Sequence, residues 1–252
     1  MTPEAHIAEA SSLLAAAARV TVLTGAGIST ESGIPDFRSP GGLWSRYDPA
    51  KLTYDRFLAS EETRRLYWSI ATESYPLLRD APVNPAHLAV AAIEKAGKLL
   101  RLVTQNVDGL HLKAGNSRER TIEIHGSALS ALCVQCSMTY EREEIHRRVL
   151  DGEPAPFCDH CGGYIKPATV SFGQAMPERE TSEAFAAARD CDLMIVIGAA
   201  NSSNSNRLVE VAASREVPAH RIDSVSDLKT AWFRNVKIVG ITAGASAPEY
   251  LV

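Results

Sequence analysis

The residues best suited to chemistry in this 252-residue chain lie where short apolar runs end. The first run, Val20–Thr24, is followed directly by Gly25, Ala26 and Gly27. Glycines after a strand let the backbone turn sharply and approach a ligand closely, and the amides that follow can cradle a diphosphate. Thr30 stands where the common dinucleotide fingerprint has its third glycine. The loop alone therefore predicts either a cofactor loop or an ordinary strand–turn–helix connection.

A second set of polar residues lies at the ends of two further apolar runs, Leu99–Thr104 and Ile122–Gly126. Open α/β folds build their sites where the carboxyl ends of parallel strands meet. We therefore expect these polar residues to share one crevice with the glycine loop. They are Gln105, Asn106, Asp108 and His125.

Four of the five cysteines form two C-x2-C pairs with 21 residues between them. This spacing predicts a closed tetrahedral zinc site that is structural, because it leaves no open coordination position, in a module that lacks its own core. Disulfides are the alternative, disfavoured by the absence of a secretory signal. His160 lies inside the second pair but is surplus to the ligand set. The predicted metal ligands are Cys133, Cys136, Cys158 and Cys161.

The composition indicates a globular protein of the cytoplasm. The chain is 45% hydrophobic, with a net charge of −4 and a pI near 6. Nucleic-acid binding normally needs a clustered basic face, which this balance does not suggest. No apolar run reaches the roughly 18 residues of a membrane span, and the N-terminus has no basic signal-peptide region. We expect neither nucleic acid nor a membrane among its partners.

Buried strands that end in glycine, amide, acid and imidazole residues predict an α/β fold with a doubly wound, Rossmann-like, mainly parallel sheet. A small zinc module and a helical segment are expected as insertions on one side. Helices are expected over 61–78, 85–96 and 177–189, and a further strand over 192–197. The segment 39–60 is loop-like and carries several aromatic residues. It could be a lid that closes over a cofactor or a simply packed insertion.

Four motifs make residues 20–198 resemble the sirtuins, a family of NAD-dependent protein-lysine deacylases. The motifs read GAGIS, GIPDFR, QNVD and IHG. The resemblance implies an NAD cofactor, release of nicotinamide and transfer of an acyl group from lysine to ADP-ribose. It also implies a domain arrangement: an NAD-binding domain of residues 1–38, 81–126 and 168–252, with a helical insertion (39–80) and a zinc module (127–167) forming the small domain.

The resemblance assigns roles to individual residues. His125 is the general base, in keeping with an imidazole that titrates near neutral pH, although a strand-end histidine bonded to backbone is the alternative. Asn106 is catalytic and, with Gln105, positions the ribose, while Asp108 holds the carboxamide. Phe37 shields the reacting face. The remaining predicted cofactor-binding residues in this part of the chain are Gly25, Ala26, Gly27, Ser29, Asp36 and Arg38.

The partner implied is an acyl-lysine peptide or protein. The segment Lys166–Gln174 resembles the sirtuin segment with which an extended substrate pairs as an added strand. Sirtuins that favour acidic acyl chains carry a Tyr-x-x-Arg motif. Here Tyr67 is followed by Trp68, Ser69 and Ile70, which favours uncharged acyl groups such as acetyl.

Residues 198–252 depart from the sirtuins. The stretches NSSNSNRL and TAGASAP resemble the C-terminal third of hydroxymethylbutenyl diphosphate reductase, an iron–sulfur enzyme. That enzyme needs three cluster cysteines, and only Cys191 remains outside the paired knuckles. The serines and asparagines could either cap a helix or contact a phosphate. We expect Gly198, Ser202 and Asp223 to form the adenosine side of the NAD site.

Two other functions remain open from the sequence. Mono-ADP-ribosyl transfer would use the same NAD site. A weak or inactive NAD- or diphosphate-binding protein would follow if the altered C-terminal part could not complete that site.

Overall fold

The computed structural model describes residues 17–36, 43–190, 192–197, 209–210, 212–214, 216–222 and 227–243. Within these residues the chain forms two β-sheets, one of six strands and one of three. The strands are β1 (Arg19–Thr24), β2 (Leu99–Thr104), β3 (Thr121–Glu123), β4 (Gly126–Cys133), β5 (Thr139–Glu141), β6 (Ile165–Thr169), β7 (Leu193–Ile197), β8 (Ala219–Ile222) and β9 (Ile238–Ala243).

The larger sheet is parallel, in the order β3-β2-β1-β9-β7-β8. On one side of β1 the sheet continues with β2 and β3, and on its other side with β9, β7 and β8. The direction in which successive strands are added therefore reverses at β1. Val20, Leu99, Leu102 and Val239 are at most 2% exposed and form the core of this sheet. Such continuous aliphatic strands are typical of parallel sheets covered on both faces. The predicted fold class is confirmed.

Helices connect the strands and begin at recognisable signals. The Ser60 side chain accepts a hydrogen bond from the Thr63 amide, and Asn84 forms a capping box with His87 ahead of Pro85. No helix in the described part of the chain is both long and apolar enough to cross a membrane. The α-helices are α1 (Leu43–Arg46), α2 (Tyr54–Ala59), α3 (Glu61–Asp80), α4 (Pro85–Lys95), α5 (Leu110–Lys113), α6 (Arg142–Leu150) and α7 (Glu178–Arg189), and the 3-10 helices are Ala26–Ser32, Pro49–Lys51 and Thr230–Phe233.

The smaller sheet is antiparallel, in the order β5-β4-β6. It packs against α3 and α6 around Trp68, Ile145 and Ile165, which are fully buried. The Trp68 indole Nε1 donates a hydrogen bond to the Ile165 carbonyl at 2.9 Å. The expectation that the cysteine module lacks a core is wrong, because Cys133 and Cys158 belong to this apolar cluster.

Two sequence expectations need correction at element boundaries. The strand predicted over 122–126 ends at Glu123, so His125 lies in a turn and Gly126 already begins β4. The described part of the segment 39–60 is not loop throughout, because α1, Pro49–Lys51 and α2 lie within it. The predicted helices over 61–78, 85–96 and 177–189 correspond to α3, α4 and α7.

Candidate functional site

The carboxyl ends of β1 and β2 are tied together by side chains as well as by backbone. Thr24 and Thr104 face each other in register, and the Thr24 hydroxyl donates to Thr104 Oγ1 at 2.9 Å. The Gln105 amide donates to the Thr24 carbonyl at 2.9 Å. The glycine loop and the segment that begins at Gln105 are therefore fixed side by side at one edge of the sheet.

The glycine loop takes the form of the 3-10 helix Ala26–Ser32. Gly25 is extended, with φ −134°, and the left-handed residue that ends the helix is Gly33, with φ +84°. The sharp turn expected directly after the strand therefore occurs later than the sequence suggested. Gly27 is exposed, and a Cβ there would meet no atom within 4 Å. The backbone at Gly27 is thus open to a ligand.

Ser29, Asn106 and Asp108 form a buried hydrogen-bonded cluster beneath this loop. Their exposed fractions are 1%, 8% and 5%. The Ser29 hydroxyl donates to Asp108 Oδ2 at 2.7 Å, and Asn106 Nδ2 donates to Ser29 Oγ at 3.0 Å. Because the Ser29 hydroxyl donates its only proton to Asp108, Asn106 must direct its NH2 group toward Ser29. The amide oxygen of Asn106 is therefore turned away from Ser29.

The buried Asp108 carboxylate is stabilised by donors on both oxygens. Oδ1 accepts a hydrogen bond from the Leu110 amide at 2.9 Å, while Oδ2 accepts that of Ser29. A buried carboxylate without such donors would be costly, so these bonds permit its burial. They also fix the carboxylate plane at the start of α5.

Two buried histidines surround the cluster, and the sequence reasoning missed both. His87 Nε2 lies 3.5 Å from Ser29 Oγ, and His111 Nε2 lies 2.9 Å from Thr24 Oγ1. Their rings meet edge to face at 4.9 Å. Burial lowers the pKa of His111 to about 4, with a smaller contribution from His87. Burial also lowers the pKa of His87, and Asp108 opposes that shift.

His125 has one ring nitrogen committed to the backbone. Nδ1 lies 2.9 Å from the Gln105 carbonyl oxygen, which can only accept a hydrogen bond, so Nδ1 carries the proton. In the neutral ring Nε2 then carries the lone pair. Burial lowers the pKa of His125, partly offset by the Gln105 carbonyl. The ring is therefore a neutral base at pH 7.

The strand β6 and the residues after it lie next to His125. The Val170 amide donates to the His125 carbonyl at 2.8 Å. Gly126 has φ +73°, and a Cβ there would overlap the Ala168 carbonyl, so only glycine fits between His125 and β6. The predicted substrate segment and the predicted base are thus coupled through the backbone.

Lys166 is buried behind the same segment. It is 1% exposed, and its Nζ donates to the carbonyls of Pro167, at 3.2 Å, and Thr169. The ammonium also lies 5.5 Å from the ring centroid of Tyr67, whose hydroxyl is 3.0 Å from Ser171 Oγ. Burial lowers the pKa of Lys166, and Tyr67 opposes that shift. These hydrogen bonds tie the Lys166 side chain to the backbone at the end of β6.

The four paired cysteines come together as predicted from their spacing. Their sulfur atoms all lie within 4.8 Å of one another, with Cys133–Cys161 at 3.5 Å and Cys136–Cys158 at 3.6 Å. Four Zn–S bonds of about 2.3 Å in a tetrahedron require S–S separations of roughly 3.8 Å, so this set fits zinc. The separations are too long for disulfides.

A donor hydroxyl lies beside one of these sulfurs. The Tyr140 hydroxyl donates to Cys158 Sγ at 3.1 Å and lowers the pKa of that thiol to about 6. Metal ligands are commonly oriented by such neighbours.

Several predicted site residues fall outside the described part of the chain. Asp36, the last residue before the gap at 37–42, is half-buried. The residues that lie outside the described part of the chain are Phe37, Arg38, Cys191, Gly198, Ser202 and Asp223.

Comparison with known proteins identifies relatives over most of the chain. A family profile described as "Sir2 family" matches residues 25–205, and one described as "LytB protein" matches residues 171–252. "NAD-dependent protein deacetylase 1" of Bradyrhizobium diazoefficiens is 44% identical over 74% of this chain and 72% of its own length. "NAD-dependent protein deacylase 1" of Pseudomonas aeruginosa is 43% identical over 74% of each chain.

Solved structures agree with the sequence relatives. A structure titled "Sir2-p53 peptide-NAD+" superposes with a TM-score of 0.70 and 30% identity, covering 92% of this chain and 91% of the other. A structure of Sir2Tm bound to a propionylated peptide superposes with a TM-score of 0.69 and 28% identity, covering 95% of this chain and 93% of the other. Since the family profile covers well over half of the sequence, the chain belongs to the Sir2 family, the sirtuins.

Proposed function

We propose that this protein is an NAD-dependent protein-lysine deacylase that acts as a deacetylase. The relatives that carry deacetylase or deacylase names match it over about three quarters of its length. The observation that carries the proposal is the state of His125. Its Nδ1 is fixed by the Gln105 carbonyl, and its Nε2 is left as a neutral base next to the residues that follow β2.

The reaction transfers the acyl group from lysine to ADP-ribose and releases nicotinamide, with NAD supplying the ADP-ribose. His125 Nε2 takes a proton from a ribose hydroxyl, because it is the ring nitrogen that carries the lone pair while Nδ1 is held by the Gln105 carbonyl. Asn106 offers its amide oxygen to the ribose, since its NH2 group is held by Ser29. Gln105 assists in positioning the ribose, and Asp108 holds the carboxamide of nicotinamide.

The remaining NAD contacts are proposed from the sequence pattern. The open backbone at Gly27, with Ala26 before it, suits the diphosphate. Phe37 shields the reacting centre from water, with Asp36 and Arg38 ordering that loop. Gly25 and Ser29 support the site from below.

The adenosine end of NAD would be bound by the C-terminal region. Gly198 and Ser202 follow β7, and Asp223 directly follows β8, where an acid can accept hydrogen bonds from ribose hydroxyls. The LytB profile matches residues 171–252, a range that includes the residues 198–252 for which the sequence resembles hydroxymethylbutenyl diphosphate reductase. We infer that this region contributes phosphate and ribose contacts and not the reductase chemistry, for which the cluster cysteines are lacking.

The peptide substrate would add as a strand along the segment after β6. The Val170–His125 backbone bond and the internal Lys166 hold that segment in a fixed course. The cysteine set would hold a structural zinc that stabilises the β4–β6 sheet. The NAD-binding residues 1–38, 81–126 and 168–252 would then face the small domain of residues 39–80 and 127–167 across the crevice.

The deciding experiment is deacetylation of an acetyl-lysine peptide, combined with calorimetric titration of NAD. His125→Ala should lower the rate by about 10²–10⁴ while NAD affinity changes only a few-fold, because the ring supplies proton transfer and little ground-state binding. His160→Ala, at an exposed histidine, is the matched control and should keep full activity. Near-normal turnover of His125→Ala would place the base elsewhere.

Product analysis separates the alternatives. O-acyl-ADP-ribose detected by mass spectrometry supports deacylation, whereas ADP-ribosylated protein would indicate mono-ADP-ribosyl transfer at the same site. NAD binding without either product would indicate an inactive binding protein.

A further inference from the structure

Among the described residues the His111 ring makes one hydrogen bond, and that bond has a defined direction. The ring is 2% exposed, and Nε2 lies 2.9 Å from Thr24 Oγ1. Thr24 gives its only hydroxyl proton to Thr104 Oγ1, so Nε2 of His111 must be the donor. Among the described residues Nδ1 has no hydrogen-bond partner. A second proton on Nδ1 would be buried without an acceptor, so the ring is neutral and protonated on Nε2.

The hydrogen bonds continue from His111 to the site. Thr104 Oγ1 accepts the proton of Thr24 and also that of the Asn106 amide, at 3.1 Å. The backbone carbonyl of Thr24 accepts a hydrogen bond from the Gln105 amide. The chain His111–Thr24–Thr104–Asn106 therefore runs from α5, under the ends of β1 and β2, to the backbone of the residue proposed to bind the ribose.

We propose that His111 is a positioning residue for the nicotinamide end of the NAD site, acting through Thr24 and Thr104 on Asn106. The inference rests on the proposed function. His111 lies beneath the strand ends and donates only to Thr24, so it acts through other residues. Its contribution is to fix the direction of the hydroxyl protons. If Thr24 were free to turn its proton toward His111, Thr104 would lose the donor that orients its hydroxyl, and that hydroxyl oxygen is the acceptor for the Asn106 amide.

This role differs from simple filling of space. A leucine in place of His111 would occupy a similar volume but could not donate. A glutamine can place its side-chain NH2 group near the position of Nε2, and it gives up nothing at Nδ1, which has no partner in the described structure. A positioning role predicts rescue by glutamine, whereas a packing role predicts that leucine is tolerated at least as well.

The test compares His111→Leu, His111→Gln and Thr24→Val in steady-state deacetylation with varied NAD and varied peptide. The Leu and Val variants should lower kcat/KM for NAD about threefold to tenfold, the range expected for one lost hydrogen bond, and leave the KM for peptide unchanged. The Gln variant should stay within about twofold of the wild type. Thr21→Val is the matched control, because Thr21 is equally buried on β1 and, within the described part of the chain, its hydroxyl makes only a 3.5 Å contact with the Ala187 carbonyl.

A second measurement does not depend on activity. In 15N-histidine-labelled protein, NMR should show His111 as the neutral tautomer protonated on Nε2 at pH 7. A ring protonated on Nδ1 or on both nitrogens would overturn the inference, as would Thr24→Val with wild-type kcat/KM or a Gln variant as impaired as the Leu variant. An inactive wild-type enzyme would instead overturn the proposed function.

Discussion

Replacing His111 by glutamine should make the protein less sensitive to acid. Burial, helped by His87, lowers the pKa of His111 from 6.5 to about 4 in the folded protein. The unfolded chain takes up a proton as the pH falls through 6.5, whereas the folded chain does so only near pH 4. The neutral ring therefore costs no stability above pH 6.5, and stability is lost between pH 6.5 and 4.

The size of this effect follows from the two pKa values. Between pH 7 and pH 5, preferential protonation of the unfolded state should remove roughly 2 kcal/mol of unfolding free energy, and about 3 kcal/mol over the whole window. Glutamine does not titrate, so the His111→Gln variant lacks this contribution. The other histidines are present in both proteins, and His87, whose ring contacts that of His111, contributes only the smaller part of the His111 shift.

The assay is urea unfolding followed by circular dichroism at pH 7 and pH 5 for both proteins. The loss of unfolding free energy on acidification should be smaller in His111→Gln by about 2 kcal/mol. Thr21→Val, which removes no titratable group, should lose as much unfolding free energy on acidification as the wild type. Equal acid sensitivity of His111→Gln and the wild type would show that His111 titrates normally, and the burial argument would be refuted.

Three further predictions concern the zinc site, the substrate segment and the adenosine end of NAD. Cys158→Ser should release the metal and unfold the β4–β6 sheet; elemental analysis that finds no zinc in the freshly purified wild type would contradict this. Lys166→Met should raise the KM for peptide severalfold with NAD affinity unchanged, because the carbonyls of Pro167 and Thr169 lose their buried hydrogen-bond donor. An unchanged KM for peptide would count against the role of Lys166. NAD should bind weakly and in preference to its 2′-phosphorylated form, and Asp223→Ala should lower the affinity for NAD further. If calorimetry shows tight NAD binding that Asp223→Ala does not change, the adenosine ribose is held in another way.

The sequence predicted the elements whose signals are local. An aliphatic run before glycine gave β1, a similar run before Gln105 gave β2, and the C-x2-C pairs identified the sulfur cluster. Each of these patterns depends on neighbouring residues, so no knowledge of the folded chain is needed. The end of β3 was misplaced because Ile124 and His125 continue the strand pattern while the backbone already turns into β4.

The support of the site was not predictable in the same way. His87 was visible only as the third residue of α4, and His111 only as a neighbour of Asp108. Their hydrogen bonds join residues 58 and 87 positions apart in the sequence. Lys166 had even less signal, because a lysine near the start of a strand usually lies at the surface. Such roles arise from tertiary packing, which single-residue patterns do not encode.

The C-terminal region, which the LytB profile matches, is part of the sheet that carries the site. β9 pairs with β1 from Arg19–Ile238 to Val22–Ile241, and β7 pairs with β9 on its other side. The strand that precedes the glycine loop is therefore held between β2, which carries Asn106 and Asp108 at its end, and a strand from the region matched by the LytB profile. The two profiles overlap over residues 171–205, which include α7 and β7. The region matched by the LytB profile thus supplies parallel strands next to β1. The residues proposed to bind the adenosine end of NAD follow β7 and β8, so we expect substitutions there to change the affinity for NAD and not the chemistry at His125.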